Sequence, residues 1–99
     1  MKSYKIIFLS EALSDLKEAK NWYDKQQAGL GNRLVSDVRL SVSGIRQNPF
    51  IGSVKYMRIR TVTCTTFPYS IHYSIDEIKG VVVITSIFHL HRNPFWDIE

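Results

Sequence analysis

Six side chains in this sequence have the types and spacing to bind or transform an anionic ligand. Arg58 and Arg60 alternate along one stretch, His72 sits in a second, and His89, His91 and Arg92 close a third. In an extended strand, residues two apart share a face, so Arg58 joins Arg60 and His89 joins His91. Arginine holds phosphate through a fork of N–H donors, and histidine exchanges a proton near neutral pH. With Tyr56 beside the arginines, the set has the composition of a polyanion-binding surface. Each residue also has a plainer role. The arginines can be solvated or salt-linked, His89 can be a structural hydrogen-bonder at a strand end, and Arg92 can tie the C-terminal tail to the sheet. His89 and His91 need a third ligand to hold a metal, and none stands within sequence range. No metal and no cofactor is therefore expected.

Placing these residues requires particular elements. Tyr4 to Leu9 is β-branched and aromatic and predicts a first strand. Ser10 is the expected N-cap of a helix whose face is Ala12, Leu16, Ala19 and Tyr23, running to about Gln26. Ala28-Gly29-Leu30-Gly31 breaks it. A second helix follows, with Leu34, Val35, Val38, Val42 and Ile45 on its apolar face and Arg33, Asp37, Arg39 and Arg46 outside that face. Asn48-Pro49 ends it, because the residue before proline disfavours the α region.

The rest reads as β. Val54 to Thr61 alternates as one strand, with Met57 and Ile59 on one side and Tyr56, Arg58 and Arg60 on the other. Tyr69, Ile71, Tyr73 and Ile75 alternate with Ser70, His72, Ser74 and Asp76. Asp76 to Gly80 is a hairpin loop, and Val81 to Phe88, apolar on both faces, is a central strand. The expected fold is α+β in the order β-α-α-β-β-β, a helical hairpin packed on one face of a mostly antiparallel sheet. The helices should cover Met57, Ile59, Ile71 and Ile75. Tyr56, Arg58, Arg60 and His72 should then face away, onto an open concave surface. Trp22 and Trp96 are expected to be packing residues.

Composition bounds the function. Ninety-nine residues make one domain, spanning 1–99, with 13 Lys+Arg against 9 Asp+Glu and a net charge of +4. That excess points to an acidic partner. The single cysteine, Cys64, excludes an internal disulfide and a cysteine-rich zinc site. Neither a signal peptide nor a run of about 20 apolar residues is present, so a cytoplasmic protein without a membrane partner is expected.

The ordered set Arg60, Phe67-Pro68-Tyr69-x-Ile71-x-Tyr73, and a valine-rich strand ending in His89-x-x-Arg92-x-Pro94 resembles the ParE/RelE toxin superfamily. The first half agrees: a short strand, a helix carrying Ala12, Asp15 and Leu16, a glycine break, a second helix, then Asn48-Pro49 and Gly52. The resemblance implies a toxin of a bacterial type II toxin–antitoxin pair. A cognate antitoxin encoded beside it would wrap and neutralise it, and operator DNA would be met only through that antitoxin. Two branches share the fold. The RelE-like branch cleaves mRNA in the ribosomal A site. That reaction needs a base, an acid and cations for the phosphorane charge. Its candidates here are Arg60, His89, His91 and Arg92. The ParE-like branch poisons DNA gyrase by binding, and its target-binding candidates are Arg58, Arg60, His72 and Arg92. No tyrosine follows Tyr73, and the chain ends Trp96-Asp97-Ile98-Glu99, whose acids oppose phosphate. Phe67-Pro68-Tyr69 and the His89-x-x-Arg92-x-Pro94 ending resemble the ParE-like branch most. The preferred reading is thus a ParE-like inhibitor. A ribosome-dependent endoribonuclease is the alternative, and a non-toxic antitoxin-binding module is the third.

Overall fold

The computed structural model describes residues 4–91. Strand β1 (Lys5–Phe8) leads into helices α1 (Ser10–Gln26) and α2 (Leu30–Gln47), and a 3-10 turn at Pro49–Ile51 follows. Strands β2 (Ser53–Tyr56), β3 (Ile59–Thr63), β4 (Tyr69–Asp76) and β5 (Val81–His89) complete one five-stranded sheet in the order β1-β5-β4-β3-β2. β1 runs parallel to β5, and the remaining pairs are antiparallel. The α+β architecture with a helical hairpin on one sheet face is as expected, with one strand more.

The helices form where the 3.6-residue periodicity places them. α1 buries Ala12 and Ala19, with Leu16 and Tyr23 packed against the same core. α2 buries Leu34, Val38, Val42 and Ile45. Both stripes meet Ile71, Tyr73, Val82 and Ile84 of the sheet, each burial of this size contributing about 1.5–3 kcal/mol. The hairpin joint is close. A Cβ at Gly31 would stand 2.5 Å from the Lys20 carbonyl oxygen, so only glycine lets α2 begin there. The Asp24 carboxylate accepts the Gly31 N–H at 2.8 Å and pairs with Lys20 at 3.0 Å. These contacts, Lys20 first, lower its pKa.

Several expectations need correction. Leu9, not Ser10, is the N-cap of α1, and Ser10 donates to Glu11 instead. Asp37 is not on the solvated side of α2. It is buried, and its Oδ2 accepts the amides of Thr66 and Phe67 at 3.0 and 2.7 Å. Those two bonds pin the β3–β4 connection onto α2, the stretch for which no turn is evident in the sequence. Trp22 is 55% exposed rather than packed away.

The stretch from Val54 to Thr61 is not one strand but two, folded back at Met57 and Arg58. Met57 takes φ +49°, the left-handed region, and is exposed. The reversal changes which side chains share a face. Arg60 pairs with Tyr73 and Val62 with Ile71, so both lie on the helix side. Ile59, paired with Tyr56, lies on the other side. The expected assignment of Ile59 and Arg60 is therefore inverted, and Met57 is covered by nothing.

β5 contains a second irregularity. His72 pairs with Ser86 and Tyr73 with Ile84, leaving Thr85 as an extra residue. This bulge shifts the inward set from Val82 and Ile84 to Ile87 and His89. Among the described residues, no helix is long and apolar enough to cross a membrane.

Candidate functional site

The sheet does not bring the five described chemistry-bearing residues, Arg58, Arg60, His72, His89 and His91, into one place. Arg58 is exposed at the β2–β3 turn. Arg60 reaches the opposite way, onto the helix side, and donates to the Gly52 carbonyl oxygen at 2.6 Å. Its guanidinium also stands 5.1 Å over the Phe50 ring. Gly52 is itself held from both sides. Its amide donates to the Tyr73 hydroxyl at 3.0 Å, and that hydroxyl donates to the Pro49 carbonyl at 2.7 Å. Burial raises the Tyr73 pKa, so the phenol remains a donor at neutral pH. A Cβ at Gly52 would lie 2.6 Å from that hydroxyl, which is why the chain passes here as glycine. Arg60 is thus the outer tie of a buried polar knot that fixes the 3-10 turn and Gly52 to β3 and β4.

His72 lies on the face away from the helices, as expected, but it is 2% exposed. Its ring packs edge-on against Phe88 at 4.9 Å, and Tyr56 Oη lies 3.5 Å from Nδ1. Desolvation, with a smaller repulsion from Lys55, lowers its pKa to about 4. At neutral pH this histidine is uncharged and brings no cation to a phosphate. Ser70 on the same face is buried too. The expected row of solvated cations is not what this face carries.

His89 and His91 occupy a third place. His89 pairs with Tyr69, on the helix side, and its ring meets Tyr69 edge-on at 5.1 Å. Its Nδ1 accepts the His91 amide at 3.1 Å, and the two rings are 5.3 Å apart. Both line a cavity of ≈ 400 Å³ with Asp15, Glu18, Trp22 and Tyr69. Asp15 is a structural member, because its carboxylate accepts the Ile87 amide at 3.0 Å where β5 runs past the end of β1. Two carboxylates in the wall oppose a phosphate and favour a cation. Neither acid stands out in the sequence as a site residue, since Asp15 and Glu18 read as an ordinary helix surface.

The separation can be sized from the ladder. Arg60 faces Tyr73 and His89 faces Tyr69, four residues apart on β4 and on flanking strands. At ~3.4 Å per residue and ~4.8 Å per strand, their backbones stand about 17 Å apart. Arg92 lies outside the described residues, as do Pro94, Trp96, Asp97 and Glu99. Among the described residues, no group of three or more His, Cys, Asp or Glu is placed to hold a metal ion. Cys64 is buried, which raises its thiol pKa and leaves it inert.

A two-helix hairpin on a five-stranded sheet, with the N-terminal strand parallel to the last, is a fold this chain shares with solved proteins of toxin–antitoxin systems. The toxin of the chromosomal ParDE system from P. aeruginosa superposes with a TM-score of 0.78 at 17% identity, over 90% of this chain and 98% of that one. The E. coli RelBE toxin–antitoxin complex gives 0.70 at 17% identity, over 91% and 100%. The Mycobacterium tuberculosis RelBE2 complex gives 0.67 at 21% identity, over 90% and 93%. These likenesses establish the fold. No curated protein sequence matches the chain. The family described as the ParE toxin of the type II toxin–antitoxin system, parDE, matches residues 6–94, and this chain belongs to it. It is a type II toxin of the ParE/RelE superfamily.

Proposed function

We propose that this toxin, acting as one domain over residues 1–99, arrests growth by binding an essential target and not by cutting RNA. The target we propose, from the resemblance to the ParE-like branch, is DNA gyrase. One observation carries the reading: among the described residues, the groups a nuclease would need are dispersed. Arg60 is committed to the Gly52 carbonyl, His72 is buried and neutral, and His89 and His91 share a cavity with Asp15 and Glu18. A phosphorane has no cationic cradle among the described residues, whereas a binding toxin needs only a shaped surface. Neutralisation by a cognate antitoxin is part of the proposal. It is supported by family membership and by the toxin–antitoxin pairing of the structural relatives. A cytoplasmic site of action follows from the target.

Expression without the antitoxin tests this directly. Growth should stop and a DNA-damage response should rise while bulk mRNA stays intact. Purified toxin should block supercoiling by gyrase. Codon-register cuts in ribosome-bound mRNA would overturn the proposal in favour of the endoribonuclease alternative.

A further inference from the structure

Four of the large apolar side chains left in water gather in one place. Phe50, Ile51 and Val54 are half-buried and Met57 is 88% exposed, all on the 3-10 turn and the β2–β3 hairpin. Folding does not ask for the last of them. Met57 holds φ +49°, where glycine would sit without strain, and it buries almost nothing in return. The base of the patch is rigid. The Arg60 guanidinium stands over the Phe50 ring and donates to the Gly52 carbonyl, and the Tyr73 hydroxyl ties Gly52 to Pro49. Val54 pairs with Arg60 on the same face. The apolar surface is therefore set before any partner arrives, which lowers the ordering cost of binding.

Charge is the second observation. No acid stands between Asp37 and Asp76, a stretch that carries Arg39, Arg46, Lys55, Arg58 and Arg60. Lys55 and Arg58 lie on either side of Met57 in the chain, and both are exposed. The next hairpin tip has the opposite sign. Ile78 is 97% exposed there, directly after Asp76 and Glu77.

We infer that the β2–β3 turn and the 3-10 turn beside it form the surface that grips the target, seated in an apolar recess rimmed by carboxylates. Met57, Val54 and Phe50 fill the recess, and Lys55 and Arg58 meet its rim. The inference rests on the reading of the target as gyrase and names the surface and chemistry of that contact. Shape selects the target over the antitoxin. Cavities lie against the helices, among them a groove of ≈ 470 Å³ beside β1 with Arg39 and Arg46 in its wall. This surface is instead a turn at the outer edge of the sheet. A short wrapping chain needs a groove for its side chains, whereas an exposed turn needs a recess, which a large folded enzyme supplies. Charge disfavours a second copy, because two such turns would bring Lys55 and Arg58 towards their own kind. Nucleic acid would satisfy the cations and leave the apolar side chains without partners.

The test is binding of the purified toxin to purified gyrase, read together with inhibition of supercoiling and with urea unfolding. Met57→Gly should weaken binding by at least about tenfold while raising the urea midpoint. A residue with a merely structural role would not move the two in those directions. Lys55→Glu with Arg58→Glu should also weaken binding by at least about tenfold, and Ile78→Ser should leave it within about twofold of the parent. If the parent inhibits gyrase and Met57→Gly inhibits it equally, the inference fails and the gyrase reading stands. If the parent neither binds nor inhibits gyrase, both fail. If Met57→Gly keeps gyrase and loses the small protein encoded beside the toxin gene, the occupant is the antitoxin. If it keeps gyrase and loses an RNA or DNA strand, the occupant is nucleic acid. Either result overturns the inference.

Discussion

Arg58 and Arg60 stand two apart in sequence and do different things. Arg60 contributes a charge-assisted hydrogen bond to Gly52 and a contact over Phe50, while Arg58 is exposed at a turn. Arg60→Ala should cost about 1.5–3 kcal/mol in urea unfolding, and Arg58→Ala should stay within about 0.5 kcal/mol of the parent. Any effect of Arg60→Ala on toxicity must therefore be read against its stability, whereas Arg58→Ala reports on target binding alone. His72 gives a pH signature. Its folded pKa of about 4 lies below the ordinary 6.5, so the unfolded chain binds its proton first as pH falls. Stability should therefore drop as pH falls from about 6.5 towards 4, by up to about 3 kcal/mol. His72→Gln should flatten that part of the profile of urea midpoints. An unchanged slope would mean that another group sets it. These roles were not legible from residue type. Asp37 reads as a surface acid because its partners, the Thr66 and Phe67 amides, come from a segment about 30 residues away.

At the scale of elements, the helices and the Asp76–Gly80 hairpin were legible, whereas the reversal at Met57 and Arg58 and the bulge at Thr85 were not, for a physical reason. Leu34, Val38, Val42 and Ile45 recur with the helical period because one side of α2 meets the core and the other meets water. The same rule gives Ala12, Leu16, Ala19 and Tyr23 on α1. Tyr56-Met57-Arg58-Ile59 reverses direction without glycine, proline or asparagine, so no punctuation marks it. The extra residue at Thr85 is equally silent, because Val81 to Phe88 is β-forming throughout. Each irregularity switches the inward parity of the residues after it, and that is how Arg60 and His89 come to the helix side. Met57 sits in the left-handed region with its side chain in water. Glycine there loses no packing and relieves the backbone. Met57→Gly should raise stability by about 0.5–1 kcal/mol, measured by thermal or urea unfolding. A loss of that size would mean that the turn is held by contacts of the methionine side chain.

At the scale of the whole molecule, the cations of the described residues do not gather into one basic site. Arg39 and Arg46 belong to the groove beside β1, Arg60 to the Gly52 knot, and the histidine pair to a cavity with two acids. This dispersal separates binding from catalysis, because the two respond differently to loss of a proton-transfer group. Removing a general acid or base lowers turnover by about 10²–10⁴-fold, whereas a binding surface tolerates loss of side chains outside it. His89→Ala with His91→Ala is therefore the informative variant. Asp15 still holds the Ile87 amide in it, and the α1–β5 packing is retained. Expressed without the antitoxin, the double variant should arrest growth as the parent does, with colony counts within about threefold at matched protein levels. Recovery of viability by two orders of magnitude, with antitoxin binding unchanged, would assign the histidine pair a chemical role and the toxin an RNA substrate.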